Sequence, residues 1–182
     1  RHGFDVEQVG SAVKAFVVGR LEGLLKDRGH AYDTVEAVLT IAGDDPADAV
    51  RRCEALTDLR AATDAMEDLS VAFTRARNLS KAELGTSTDA SIMGAEEAAL
   101  ADALSAAVQA SGKSFEAGDY DAVLGVLAGL RAPIDAFFDG VLVMDPDERL
   151  RDNRLRLLNR FVALFSRFAD FSRLSTVPLG SL

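Results

Sequence analysis

The sequence predicts an all-α protein, a somewhat elongated helical bundle, and three observations carry that prediction. Apolar residues recur at three- and four-residue spacing along almost the whole chain. Ala, Leu, Glu and Arg dominate while β-branched runs stay short, which favours helix over strand. Glycines, prolines and capping acids punctuate the pattern at the places where helices would have to stop and start.

Taken in order, the first helix is expected over residues 5–28. Val6, Val9, Val13, Phe16, Val17, Leu21, Leu24 and Leu25 form its broad apolar stripe, and Gly29 is placed to end it. A short second helix covers residues 34–41. Asp45 then offers a cap, Pro46 suits the first helical position and Asp48 favours the positive end of the dipole, so a third helix starts there and reaches residue 62. A fourth covers residues 63–81. Residues 83–94, rich in Gly, Ser and Thr, are expected to form a long mobile loop. Helix resumes near Ala95 and stops at Gly118, where Asp119 caps the next one. The helix from Tyr120 should kink or break at Pro133, which lacks an N–H and pushes Ala132 from α geometry. The string DPDE at residues 145–148 combines cap, proline and back-reaching glutamate; it is expected to launch the longest helix, over residues 146–174, with Asp145 as its cap.

With 182 residues and 48% hydrophobic content the chain can bury a sizeable core, so residues 1–182 are read as one domain and a disordered tail is excluded. It begins at Arg1 without a methionine, which reads as a piece cut from a longer, cytoplasmic protein. No apolar run approaches the roughly 20 residues of a membrane span. The net charge of −9 argues against a body that adheres to nucleic acid through its global field. Any such contact must come from a local cationic surface.

Catalytic groups do not converge. His2 and His30 lie in a frayed start and just past a helix end, where solvent-exposed histidines are expected, with no partner pattern for a metal or a nucleophile relay. Cys53 stands alone in a helix, excluding a disulfide framework. The string SGKS at residues 111–114 imitates the end of a phosphate loop, but Ala107 holds the position of the required glycine and a helix precedes it. The acidic clusters at Asp44, Asp45 and Asp48 and at Asp145, Asp147 and Glu148 coincide with helix starts, so capping accounts for them. No catalytic residue and no metal ligand is assigned.

The last helix is more informative. At about 100° per residue, Arg149, Arg156, Arg160 and Arg167 share one face, opposite Leu150, Leu157, Leu158, Phe161, Phe165 and Phe168, and extend over roughly 27 Å. They are expected to form an exposed ladder of guanidinium groups that could meet phosphates. A bland alternative is a solubilising face paired with neighbouring acids. Arg154 turns toward the apolar side instead and must have a partner; Asp135 and Asp139 on the preceding helix are the candidates, in a structural role. Phe137 and Phe138, like the phenylalanines of the last helix, sit at core spacing, whereas Tyr32 and Tyr120 near helix starts are expected to be accessible.

Two strings near the end carry a family likeness: PIDAFFDGVLVM at residues 133–144 and LRDNRLRLLNRFVALFSRFADFSRL at residues 150–174. Together they resemble the close of the glycyl-tRNA synthetase β subunit, with its P-[IV]-x-x-F-F-D-x-V-x-V-M segment, its N-R-L-x-L-L helix and its A-D-[FI]-S ending. FVVGRLEGLL and TVEAVL resemble the family's first two helices. FTRARNLSK resembles its K-R-x-x-N-I element, with Arg75 and Asn78 matched and Thr74 in place of the lysine. The resemblance implies an anticodon-binding module of the class I synthetase type that performs no chemistry itself. It implies glycine tRNA as partner, together with the synthetase α subunit or a fused α region and the rest of β, and neither DNA nor membrane. It places ATP and Mg in the parent enzyme's catalytic part and no cofactor in this piece. Candidate tRNA contacts are Arg149, Arg156, Arg160 and Arg167, with Arg20, Arg75 and Asn78 more peripheral. An arginyl-type module and a helical protein-interaction domain without RNA affinity are the competing readings.

Overall fold

The computed structural model describes residues 6–175, with side chains described from residue 9 onward. Eight α-helices and three short 3-10 turns account for its regular structure, and no strand occurs among the described residues. Helices α1 (Val6–Asp27), α2 (Tyr32–Ala42), α3 (Pro46–Ala62) and α4 (Ala65–Leu79) form the first half. A linker with 3-10 turns at Ala82–Leu84 and Ala90–Ile92 leads to α5 (Ala95–Ala117), α6 (Tyr120–Ala128), α7 (Arg131–Gly140) and α8 (Glu148–Ser166), and a last 3-10 turn covers Phe171–Arg173.

Local chemistry sets most of these boundaries. Asp45 accepts from the Asp48 amide with Pro46 in the first turn of α3, and Asp119 does the same for Ala122 at the start of α6. Gly118 takes φ +68° after α5, a left-handed value that a side chain would disfavour. The break expected at Pro133 falls earlier: α6 ends before Gly129, and Pro133 sits in the first turn of α7, where its missing N–H is not needed. The last helix is also shorter than expected. Asp145 does not cap it, because its carboxylate accepts from the Asp147 amide and from Arg154; Asp147 caps α8 instead. At the other end Arg52 Nη1 donates to the carbonyls of Arg167 and Phe168, both at 2.7 Å, and closes the helix well before residue 174. At 23 residues α5, not α8, is the longest helix here.

The core is aromatic where α4, α8 and the last 3-10 turn meet. Phe73, Phe161, Phe165, Phe168 and Phe171 are wholly buried, with the Phe161 and Phe165 ring centroids 4.5 Å apart and Phe165 and Phe171 5.0 Å apart. Phe137 and Phe138 are buried on α7 as their spacing predicts. Tyr120 is not accessible: its ring packs edge-on against Phe115 and Phe168 beneath Arg52, and its hydroxyl donates to Asp48. Tyr32, by contrast, is exposed.

The apolar stripe of α1 departs from expectation. Leu21 and Leu25 reach the core, but Val9, Val13, Phe16, Val17 and Leu24 are exposed, with Phe16 at 69%. The helix packs against α2 and α3 along one end of its face only. The Val6 side chain and His2 lie outside the described residues. His30 is half-buried, its Nδ1 2.8 Å from Thr57 Oγ1. Ser111–Ser114 lies within α5, where Ser111 bonds back to the Ala107 carbonyl, so SGKS forms helix and no phosphate loop. Cys53 is buried, and burial pushes its thiol up to about 12, too high for a reactive thiolate.

These burials predict opposite outcomes for two phenylalanines. Phe165→Ala should lower the unfolding free energy in a urea titration by about 3–5 kcal/mol through the cavity it leaves. Phe16→Ser should stay within about 0.5 kcal/mol of the parent chain.

Candidate nucleic-acid interface

Arg149, Arg156 and Arg160 of α8 and Arg167 just past its end do share a side, but that side is not an open ridge. The connection between α4 and α5 lies across it, with α5 alongside. Arg156 is half-buried and its Nε donates to the Leu84 carbonyl at 3.2 Å. Arg160, also half-buried, reaches Ser105 Oγ at 2.9 Å and Thr88 Oγ1 at 3.4 Å. Arg167 lies over the Phe115 ring at 4.1 Å. These groups meet carbonyls, hydroxyls and a ring rather than carboxylates, so they keep their charge while being held in place. Arg149 is exposed.

The same side of α8 anchors the residues 83–94 expected to be mobile. Asn153, buried, accepts from the Asp89 amide at 2.7 Å and donates back to its carbonyl at 3.0 Å. Asn159, also buried, accepts from the Lys81 amide at 3.1 Å and donates to the carbonyls of Lys81 and Gly85, both at 2.7 Å. Each amide pairs with loop backbone groups and so fixes the connection to α8.

Arg154 finds three acceptors, and neither Asp135 nor Asp139 is among them. Its Nε lies 3.0 Å from Glu97 Oε1, and its Nη1 donates to Asp145 Oδ2 at 2.7 Å and to the Leu142 carbonyl at 2.8 Å. Asp135 lies instead 3.8 Å from Arg131, which also pairs with Asp68. Glu97 is buried and serves twice, because its Oε2 accepts from the Gly94 amide at 2.8 Å and so caps α5. The structural role expected of Arg154 is therefore kept with different partners: it joins the start of α5, the α7–α8 connection and α8, not α7 to α8 alone.

That connection walls an open apolar cleft. Val71, Thr74, Arg75, Asn78 and Leu79 of α4 face residues 141–144 across a volume of about 720 Å³. Leu142 and Met144 are exposed at its rim. A smaller cavity of about 320 Å³ adjoins it, lined by Phe138, Arg131 and the acids Asp68, Asp135 and Asp139. Arg75 lines both, its guanidinium 4.0 Å from the Phe138 ring centroid. Among the described residues no carboxylate lies within ion-pair distance of Arg75, Arg149 or Arg20, and the Asn78 side chain makes no hydrogen bond. The candidates are thus partly brought together: Arg75 and Asn78 share one cleft, whereas Arg20 sits on α1, which packs against α2 and α3. Sequence reasoning missed the far wall of the cleft. The signal was VLVM, four apolar residues directly after a helix-ending glycine and before an acidic turn.

Acids elsewhere tie the halves together. Asp170 accepts from Arg77 and from the Ser172 amide and hydroxyl, which gives the A-D-F-S string its structural meaning: a capped turn that inserts Phe171 into the core. Burial pushes the Asp170 carboxyl up, but the hydrogen bonds from Ser172 and Arg77 outweigh it and leave the group below its usual range. The same contest lowers Asp33, through Arg60, and Asp48, through Tyr120 and Arg52.

Comparison with known proteins agrees with this architecture. Residues 69–168, from within α4 to just past α8, match the DALR anticodon binding domain, and the chain belongs to that family. It is 41% identical over 174 residues to the glycine–tRNA ligase beta subunit of Vibrio cholerae, covering 93% of this chain and 25% of that protein. It is 38% identical over 169 residues to the corresponding subunit of Syntrophotalea carbinolica, covering 92% and 24%. The counterpart from Moorella thermoacetica is 43% identical over 157 residues, covering 85% and 22%. The chain thus spans about a quarter of the length of these relatives. Among the described residues no helix is long and apolar enough to cross a membrane.

Two outcomes follow. Glu97→Ala should cost about 1–3 kcal/mol in denaturant unfolding, because it removes the cap of α5 and leaves Arg154 Nε unpaired while Asp145 remains as counter-ion. Asp33, Asp48 and Asp170 have folded pKa values below their unfolded ones, so their contribution is present above about pH 4 and is lost as the pH falls further. Thermal melts should show Tm declining below that pH, and Asp170→Asn should weaken the decline.

Proposed function

We propose that this chain is the anticodon-recognition module of a glycine–tRNA ligase β subunit and grips the anticodon arm of glycine tRNA. The observation that carries the reading is the family match over residues 69–168, supported by relatives whose name is that subunit. Glycine activation belongs to the enzyme's catalytic part, an α subunit or fused α region working with the rest of β in the cytoplasm. ATP and Mg serve that part, and this module supplies binding alone.

The geometry suggests how an acidic body can hold RNA. Arg75 and Arg149 are exposed and form no ion pair among the described residues, although Asp89 lies close enough to Arg149 to feel its charge and Asp68, Asp135 and Asp139 share a cavity with Arg75, so both guanidinium groups can answer phosphates or bases at low desolvation cost. Arg156, Arg160 and Arg167 act one step back, holding the connection before α5 and the end of α8 in shape while adding to the local field.

A salt titration with a glycine tRNA transcript tests the reading. Binding should be tighter than to the same transcript with a substituted anticodon, and Arg149→Ala should weaken both and lower the salt slope by about one contact. Equal affinity for the two transcripts would remove anticodon reading, and absence of binding at low salt would remove the grip itself.

A further inference from the structure

We propose that the cleft between α4 and residues 141–144 receives one unstacked nucleobase of a single-stranded RNA loop, stacked on the Arg75 guanidinium and read along its edge by Asn78. This rests on the anticodon-arm reading above and names the part of the surface that discriminates.

Phe138 lines only the smaller cavity and Arg75 lines both, so the guanidinium stands as a partition with a ring behind it and the larger cleft in front. A guanidinium already ordered against a ring on one face offers its other face as a stacking platform. Asn78 lies three residues on, one turn along the same side of α4. Its amide carries a donor and an acceptor, the pair that a Watson–Crick edge presents, and no internal group engages it.

The rest of the cleft suits a flat heterocycle. Val71, Leu79, Val143 and Met144 supply apolar walls, and the volume of about 720 Å³ accommodates a base with its sugar. A phosphate is the wrong occupant. It needs several converging donors, and the acids Asp68, Asp135 and Asp139 in the adjoining cavity repel it. The far wall is tied to the buried ion cluster at one point, where the Leu142 carbonyl accepts from Arg154.

The test is a cycle between protein and RNA, using this chain and a hairpin that copies the anticodon arm of a glycine tRNA. Abasic residues, and then each of the other bases, replace each loop nucleotide in turn, and affinities are measured for the parent chain, Arg75→Ala, Arg75→Lys and Asn78→Ala. Both side chains are exposed, so the variants should melt with the parent chain in circular dichroism. For the parent, one loop position should show a loss of about tenfold or more on becoming abasic. For Arg75→Ala and Arg75→Lys that position should show little further loss, the lysine keeping charge without the platform. Asn78→Ala should retain most of the abasic penalty but lose preference among bases there. Abasic penalties that are equal in parent and Arg75 variants at every position would overturn the base site while leaving anticodon-arm binding in place. A parent chain that does not bind the intact hairpin at low salt would overturn the arm reading and this proposal with it.

Discussion

A charge turned toward the core has to be answered where it lies, and most of the geometry around the α4 cleft and the start of α8 follows from how Arg154 is answered. Its helical position carries it inward, where an uncompensated guanidinium would be very costly. Glu97, Asp145 and the Leu142 carbonyl converge on it from the start of α5 and the connection before α8. Because Glu97 also caps α5, one carboxylate orients two helices. Because Leu142 is held by its backbone, the far wall of the cleft is positioned by a residue that never enters it. Packing and recognition are linked through a single buried ion cluster.

The economy of charge elsewhere is consistent with that arrangement. The net charge of −9 means that a polyanion is not drawn to the molecule as a whole. Several arginines are committed internally: Arg52 to the end of α8, Arg60 to Asp33, Arg77 to Asp170. What remains among the described residues is a small set of exposed arginines outside any ion pair, whose effect is local and shape-dependent. In the proposed reading, recognition on such a surface depends more on the fit of a base than on the attraction of a backbone, and a longer parent protein can add the rest of the affinity from other surfaces.

Helix existence was legible in the sequence because caps and stops are local chemistry: Asp45, Gly118 and Asp119 act where their residue types predict. What was not legible depends on partners distant in the chain. Asp145 resembles a cap until Arg154 claims its carboxylate. Asn153 and Asn159 look like polar residues on a solvated face, yet they bind a loop some seventy residues earlier. The arginine ladder was placed correctly around the helix, but helical arithmetic cannot say that another segment will lie across it. The α1 stripe failed for the converse reason, since periodicity marks an apolar face without stating that anything in the same chain will cover it. Of the site, Arg75 and Asn78 came from motif likeness, while the wall at residues 141–144 needed coordinates.

The two asparagines of α8 have a consequence for how the neighbouring segment can vary. They are six residues apart, which places their anchor points about 9 Å from each other along the helix. Asn159 also holds Gly85, so the free stretch runs from Gly85 to Asp89 and could extend to roughly 13 Å. It therefore carries a little slack between two fixed pins, like a strap slightly longer than the gap it crosses. An insertion of a residue or two near Ser87 would be absorbed in the arch without moving either pin, whereas a one-residue shift within α8 would rotate both amides off their targets at once.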